Sequence, residues 1–380
     1  MSTASSTPDF WIRIGLKECD RLRCMSIVQR RYFGCKVQEF KEQGYCSLTL
    51  LVTAPDAIES SSHEDGNVSR KIDWGTSRSL IVQLRPAQHA LDIGIARAAR
   101  EAYSSLAPST HQLNLTLPGQ LCMYEMERMP GTSLSRLLPR SLSTDSILQK
   151  KEERLIESLA RFMAQSWQSV AERPNSARTA RADSPMEDLS ATLSRCTGSV
   201  GLSVVQRLEK LGRELPDELL KEKAKATLAC IKALTNYPVV LNHGDMIPSN
   251  ILVDEDTWEV TGLVDWAEAE YLPFGTCLYG LEHFLGYLKP LTEDLALACK
   301  ESPSFVYYAH ATRLRERFWT RLLDLVPELK TRQEDLKTVR DLGVLLWYGY
   351  AWDDGAINRV VNETEDAVEV ACLRAFLAVT

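Results

Sequence analysis

The amino-acid sequence predicts an α+β fold with two parts, a small antiparallel sheet followed by a larger, mainly helical region. Segments with β-strand character are concentrated before residue 130, whereas apolar residues recur at helical spacing over most of the remaining chain. The composition is that of a folded protein, because 44% of the 380 residues are apolar and 25% are charged. We therefore predict a smaller domain over residues 1–130 and a larger domain over residues 131–380.

The smaller domain is predicted to contain four strands and one main helix. The strands are expected at residues 36–40, 47–52, 80–85 and 121–126, and the helix at 91–106. The turn at 42–45 is short, so we expect the two strands that it joins to pair antiparallel. A partly helical amphipathic stretch is expected within residues 1–30, and a polar loop at 56–79.

The larger domain is predicted to be helical apart from one interruption. Helices are expected at residues 147–170, 208–234, 305–326, 336–352 and 366–377, with a loop at 172–185. The interruption at 239–275 contains β-branched runs, a turn and several polar residues close together. This segment therefore contains the candidate catalytic residues.

Charge and cysteine spacing exclude several classes of function. A net charge of −7 argues against a general nucleic-acid-binding protein. No apolar run is long enough to cross a membrane, and the N-terminus has no basic and apolar leader, so we expect a cytoplasmic protein. The ten cysteines show neither a CxxC pair nor the spacing of zinc ligands, so we expect reduced thiols.

The interruption carries polar residues at the spacing of a kinase catalytic loop. His243-Gly244-Asp245 is followed by Asn250, and the far strand of the next hairpin ends at Asp265. Phosphoryl transfer needs a carboxylate that takes the proton of the acceptor hydroxyl, and oxygen ligands that hold Mg²⁺ at the nucleotide phosphates. Singly, these residues would be a turn former, a cap and a strand end. In combination they favour a phosphotransfer site.

Further motifs make the chain similar to a known superfamily. They are Gln-Gly-Tyr-Cys-Ser at 43–47, Gln-Leu-Arg at 83–85, Asp-Trp-Ala-Glu-Ala-Glu at 265–270 and Pro-Phe-Gly at 273–275. With His-Gly-Asp, they resemble the aminoglycoside phosphotransferase and choline kinase superfamily, and in detail its fungal phosphotransferase enzyme family members. The resemblance implies a protein-kinase-like two-lobe fold, ATP and Mg²⁺ as cofactors, and a small-molecule acceptor with a hydroxyl group.

The resemblance implies roles for individual residues of the larger domain. Asp245 would be the catalytic base or the carboxylate that orients the hydroxyl, and His243 would brace the loop through hydrogen bonds. Asn250 and Asp265 would be the Mg²⁺ ligands.

The resemblance also implies a nucleotide site in the smaller domain. The loop at 43–48 would position the nucleotide through the backbone at Gly44 and the hydroxyl or N–H of Ser47, although these residues also suit an ordinary hairpin turn. Gln83 and Arg85 would reach the phosphates, with Arg85 at the position of the protein-kinase lysine. Alternatively, Arg85 is a surface residue before a proline.

Two parts of this nucleotide site stay open in the sequence. The carboxylate that would pair with the arginine of the third strand is either Asp92 or Glu101. The segment at 124–131 lies where the interlobe hinge should be, and we count Glu125 and Glu127 among its nucleotide-binding residues. An ordinary connector is the alternative.

An aromatic and acidic cluster is the candidate acceptor site. Its members are Trp347, Tyr348, Tyr350, Trp352, Asp353 and Asp354, with Glu268, Glu270 and Glu282 upstream. Such a pocket would suit a cationic acceptor, but aromatics at helical spacing are also typical of a core. The sequence thus predicts an ATP- and Mg²⁺-dependent small-molecule phosphotransferase. A catalytically silent nucleotide- or ligand-binding module is the alternative.

Overall fold

The structure, a computed structural model, divides into two compact units. It describes residues 10–41, 43–55, 74, 78–139, 146–171, 191–289 and 302–379. Unit 1 contains Met1–Glu101 and Ser105–Pro130, and unit 2 contains Ala102–Ser104 and Gly131–Thr380. The loop predicted at 172–185 and nearly all of the loop predicted at 56–79 lie outside the described residues.

Unit 1 is built around an antiparallel five-stranded sheet. Its strands are β1 (Lys36–Glu39), β2 (Leu48–Thr53), β3 (Ser79–Arg85), β4 (Thr110–Leu113) and β5 (Cys122–Glu127). They lie in the order β1-β2-β3-β5-β4, and each neighbouring pair is antiparallel. The sequence prediction missed β4, because its four residues are too few to show an alternating pattern.

One face of this sheet forms the core of unit 1. Helices α1 (Phe10–Arg13) and α2 (Glu18–Arg31) pack on it, and α3 (Ile93–Tyr103) follows β3 in the chain. The core includes Phe10, Trp11, Cys24, Val28, Tyr32, Leu50, Val52, Val82, Leu84 and Met123. Burying each large apolar side chain stabilises the fold by about 1.5–3 kcal/mol. The alternation of β2 and β3 directs the residues between these core positions to the opposite face.

Unit 2 is mainly helical and contains short strands. Its helices are α4 (Ser146–Ala171), α5 (Gly198–Gly201), α6 (Val204–Glu214), α7 (Glu218–Ala233), α8 (Ala311–Leu325), α9 (Gln333–Tyr348) and α10 (Ala367–Leu377). Its strands are β6 (Thr132–Ser133), β7 (Val239–Asn242), β8 (Ile251–Val253), β9 (Val260–Leu263), β10 (Glu270–Pro273), β11 (Gly286–Leu288) and β12 (Phe305–Tyr307). Strands β6, β8 and β9 form one sheet, β7 pairs with β10, and β11 pairs with β12. The predicted α+β class is confirmed, because unit 1 contains a small antiparallel sheet and unit 2 is mainly helical.

Three predicted helices of unit 2 have different limits in the structure. The helix expected at 208–234 is two helices, because Pro216 cannot continue α6 and Asp217 caps α7 by accepting the Leu220 N–H at 2.8 Å. The helix expected at 305–326 begins as strand β12, since its first residues pair with β11. The helix expected at 336–352 ends at Tyr348.

Aromatic rings fill the interior of unit 2 beside the predicted catalytic loop. Tyr103 stacks on Phe162 with ring centroids 4.5 Å apart, and its hydroxyl donates to the Leu241 carbonyl at 2.6 Å. Trp266 lies against Tyr103 and also contacts the ring of His243, at centroid distances of 4.9 and 4.5 Å. The strand before the loop and the turn after β9 are therefore held by one packed cluster.

A buried ionic cluster connects several elements of unit 2. Glu282, which is 1% exposed, accepts from Arg315 at 2.7 Å and from Arg340 at 3.0 Å. Arg340 also donates to the carbonyl of Phe376 at 2.6 Å. The cluster thus joins the 3₁₀ segment at Thr276–Phe284 to α8, α9 and α10.

Two findings concern membrane-spanning helices and the state of the cysteines. Among the described residues, no helix combines the length and the apolar character needed to cross a membrane. The nine cysteines within the described ranges are free thiols, and Cys299 lies outside those ranges.

Candidate active site

The His-Gly-Asp loop has a backbone shape that requires its glycine. The loop leaves β7 after Asn242 and ends in a 3₁₀ turn at Pro248–Asn250. Gly244 has a φ of 82°, in the left-handed region. A Cβ at this position would overlap the carbonyl oxygen of Glu268, so the two segments approach as closely as their backbones allow.

His243 braces the loop through two hydrogen bonds. Its Nδ1 accepts the Asp245 N–H at 3.3 Å, so Nε2 carries the hydrogen and donates to the Val264 carbonyl at 3.0 Å. Burial lowers the pKa of His243 to about 4, although the nearby Asp265 acts in the opposite direction. A neutral imidazole therefore links the loop to the end of β9.

Asp245 presents one carboxylate oxygen without a partner inside the fold. Its Oδ2 accepts from Asn250 Nδ2 at 2.7 Å, and no donor among the described residues reaches the buried Oδ1. Burial raises the pKa of Asp245 to about 7, the Asn250 hydrogen bond opposes this rise, and the charges of Asp265 and Glu268 add to it. Such a carboxylate can accept a proton near neutral pH.

Asn250 and Asp265 lie next to each other across the hairpin. The Asn250 carbonyl accepts the Val264 N–H at 2.9 Å, which places the following residue, Asp265, beside the loop. The amide nitrogen of Asn250 donates to both the side chain and the carbonyl of Asp245, so its amide oxygen is left for another ligand. Asp265 is exposed and has a φ of 61°, which aspartate tolerates better than most residues.

These two side chains suit Mg²⁺ as it is bound in nucleotide sites. Mg²⁺ takes oxygen ligands and usually binds one or two protein groups, with phosphates and water completing its shell. Within the described ranges, no group of three His, Cys, Asp or Glu residues could hold a metal ion on its own. A metal at the mouth of the loop would therefore depend on the oxygens of Asn250 and Asp265 together with those of the nucleotide.

Tyr279 also holds the loop, and the sequence did not predict it. Its hydroxyl donates to the Gly244 carbonyl at 2.8 Å and accepts the Met246 N–H at 3.0 Å. The sequence carries no signal for this contact, because Tyr279 is 33 residues from Met246.

In unit 1, four polar residues form a row on the face of the sheet opposite the core. All of them except Thr49 were predicted as nucleotide-binding residues. Thr49 pairs in register with Gln83, and Ser47 and Arg85 lie two residues further along the same face. Gln83 Nε2 donates to Thr49 Oγ1 at 3.3 Å, while its Oε1 accepts from Arg85 Nε at 2.9 Å. Arg85 is 3% exposed and so is not a surface residue. The structure therefore brings Ser47, Gln83 and Arg85 together.

The loop that precedes β2 is shaped by a side chain. The Gln43 amide accepts the Thr49 N–H at 2.8 Å and donates to the carbonyls of Thr49 and Phe40 at 2.8 and 2.7 Å. It acts as an extra strand residue and closes the loop that contains Gly44. A Cβ at Gly44 would lie in ordinary contact with Ser47 Oγ, at 3.8 Å, so sterics do not require glycine here.

The four predicted carboxylates of unit 1 are not gathered around the Gln83 and Arg85 row. Asp92 caps α3 by accepting the Gly94 N–H at 2.7 Å, and Glu101 is exposed near the other end of that helix. Glu125 accepts from the Tyr32 hydroxyl at 2.8 Å, on the core face. Glu127 pairs with Arg100 at 3.0 Å.

Comparison with known proteins identifies the family. A family model described as the phosphotransferase enzyme family matches residues 64–276, which is more than half of the chain. The chain belongs to this family. It is a small-molecule phosphotransferase, as the motifs predicted, and the silent binding module is not favoured. No curated protein matches the sequence.

Three solved structures resemble this phosphotransferase at low sequence identity. A putative aminoglycoside phosphotransferase from Ralstonia eutropha is 12% identical with a TM-score of 0.46, covering 94% of this chain and 97% of its own. The macrolide 2'-phosphotransferase from Brachybacterium faecium is 16% identical with a TM-score of 0.44, covering 89% and 99%. An aminoglycoside phosphotransferase from Streptomyces rimosus, in complex with ADP and streptomycin, is 13% identical with a TM-score of 0.39, covering 85% and 98%.

Part of the aromatic and acidic cluster of this phosphotransferase is interior structure, and part of it is exposed. Tyr348 and Tyr350 are buried, and their hydroxyls contact His283 Nε2 at 2.7 Å and the Arg207 carbonyl at 2.9 Å. Three carboxylates have internal partners: Glu270 accepts from the α5 backbone, Glu282 belongs to the buried ionic cluster, and Asp353 binds Arg359. The half-buried Trp347 and the exposed Trp352, Asp353 and Glu268 remain accessible, and the Asp354 side chain lies outside the described part.

Proposed function

We propose that this phosphotransferase transfers the γ-phosphoryl group of ATP, with Mg²⁺, to a hydroxyl group of a small molecule. The observation that carries the proposal is the geometry of Asp245. Asn250 holds one of its carboxylate oxygens at 2.7 Å, and the other is buried without a partner among the described residues. A buried carboxylate oxygen without a hydrogen-bond donor is energetically costly. The hydroxyl group of a bound substrate would supply that donor.

The residues of the site divide the chemistry between them. Asp245 Oδ1 would accept the hydroxyl proton while the hydroxyl oxygen forms a bond to the γ-phosphorus and the bond to the β–γ bridging oxygen breaks, which releases ADP. Asn250 and Asp265 would hold Mg²⁺, which neutralises phosphate charge when bound. In unit 1, Arg85, kept in place by Gln83, would offer a guanidinium charge that suits phosphate. A cationic acceptor has weaker support, because Glu270 and Glu282 are used inside the fold.

Measuring ADP formation from MgATP, with amino alcohols and sugars as acceptors, tests this proposal. Asp245→Asn keeps the size of the side chain but removes the base, so we expect turnover to fall by about 10²- to 10⁴-fold with ATP affinity nearly unchanged. Asp265→Ala should instead weaken ATP binding only when Mg²⁺ is present. The matched control is Asp324→Asn, at an exposed position of α8, which should behave as the wild type.

Two results would overturn the proposal. One is wild-type protein that forms no ADP with water or any acceptor at saturating MgATP. The other is full activity in Asp245→Asn, which would show that this carboxylate takes no part in the transfer.

A further inference from the structure

Tyr279 is buried and makes two hydrogen bonds to one short piece of backbone. Its hydroxyl donates to the Gly244 carbonyl at 2.8 Å and accepts the Met246 N–H at 3.0 Å. The two groups belong to the residues immediately before and after Asp245. Burial raises the pKa of Tyr279 well above its usual value, so the hydroxyl keeps the proton that it donates.

The ring of Tyr279 is itself fixed by its neighbours. It stacks on the indole of Trp347 in α9, with ring centroids 4.9 Å apart and an angle of 12° between the planes. The next residue, Gly280, packs so closely on Met246 that a Cβ there would overlap the methionine side chain. The 3₁₀ segment at Thr276–Phe284 therefore packs directly against the catalytic loop.

Among the described residues, the other hydrogen bonds of the loop do not involve the two backbone groups that Tyr279 binds. His243 accepts the Asp245 N–H and binds Val264, and Asn250 binds the Asp245 side chain and carbonyl. The Gly244 carbonyl and the Met246 N–H are the two loop groups that Tyr279 pairs. Without the hydroxyl, the buried Met246 N–H and the half-buried Gly244 carbonyl would each lose this partner, and the backbone on each side of Asp245 would shift to find new ones.

We propose that Tyr279 is a positioning residue for phosphoryl transfer, whose hydroxyl fixes the backbone on both sides of Asp245. This inference rests on the proposed function of Asp245 and adds a residue outside the recognised motifs. Catalysis by positioning is sensitive to small displacements, because a shift of about 1 Å in a reacting group can cost about 100-fold in rate. The role predicts an effect on kcat with little effect on KM.

Tyr279→Phe tests the proposal with the least disturbance, because it keeps the stack on Trp347 and removes only the oxygen. We expect kcat for ADP formation from MgATP to fall by about 10- to 100-fold, with KM for ATP within about threefold of wild type. Amide hydrogen exchange should become faster in peptides that cover residues 244–250. The matched control is Tyr237→Phe, which removes another buried hydroxyl of unit 2 that donates to a carbonyl, that of Phe274 at 3.0 Å. It should leave kcat and the exchange of the loop unchanged.

The outcomes separate this inference from the proposed function. Active wild type with an equally active Tyr279→Phe protein would overturn the positioning role, as would equal kcat losses in the Tyr279 and Tyr237 variants. Inactive wild type would overturn the proposed function, and the catalytic role of Tyr279 with it. If Tyr279→Phe does not fold, Trp347→Leu, which removes the stacking partner and keeps the hydroxyl, must lower kcat in the same direction, and unchanged kcat there would also overturn the inference.

Discussion

Replacing Gly244 by alanine should damage both the fold and the site, through two separable costs. The first is conformational, because a φ of 82° is unfavourable for an L residue by about 1–2 kcal/mol. The second is steric, since the new methyl group would overlap the carbonyl oxygen of Glu268. Overpacking of this kind typically costs about 1–3 kcal/mol, so we expect the free energy of unfolding to fall by about 3 kcal/mol in total.

Gly34 offers a control that contains only the first of these costs. Its φ is 78°, and no described atom lies within 4 Å of the Cβ that alanine would add. Urea denaturation of Gly34→Ala should therefore show a loss of about 1 kcal/mol. Gly244→Ala should lose about twice that amount in addition, and its MgATP turnover should fall by about 100-fold because the substitution displaces Asp245. Equal losses of stability in the two variants would refute the steric role of Glu268.

Two further predictions concern the interior of unit 2. Burial lowers the pKa of His283 to about 4. As the pH falls, this histidine is therefore protonated in the unfolded chain before it is protonated in the folded protein. The free energy of unfolding should drop by about 3 kcal/mol between roughly pH 6.5 and 4. Urea denaturation across this range should show a flatter profile for His283→Gln, and an unchanged profile would contradict the assignment. Glu282→Gln should cost about 3 kcal/mol, because two buried guanidinium groups lose their carboxylate. Glu218→Gln, at an exposed pair with Lys221, should leave the urea denaturation midpoint nearly unchanged.

The parts of the fold that local chemistry determines could be predicted from the sequence. Strands β2, β3 and β5 show as β-rich runs that end at turn or proline signals. The spacing of His243, Asp245 and Asn250 predicted one loop, and the structure shows these residues bonded to one another. Pro216 is also a local signal, and it accounts for the break between α6 and α7 that the helix expected at 208–234 did not include.

The remaining errors come from contacts between distant parts of the chain. Strand β12 exists because it pairs with β11, and no local pattern distinguishes it from the start of a helix. Tyr348 fits an acceptor pocket equally well until its burial is known. The role of Tyr279 depends on backbone groups 33 to 35 residues away. Sequence motifs therefore predict the candidate catalytic residues and the neighbouring brace His243, but not a distant supporting residue such as Tyr279.

Tyr103 has a consequence for any attempt to separate the two units. It belongs to unit 2, where it stacks on Phe162 and donates to Leu241, yet the chain returns to unit 1 after Ser104. A fragment that starts at Gly131 would lack this ring and leave the Leu241 carbonyl without its donor. If the N-terminal 130 residues were exchanged between family members, the core of unit 2 would receive its residue at position 103 from the other protein. Recombination or truncation at the apparent boundary should then succeed only when the transplanted tyrosine matches its new surroundings.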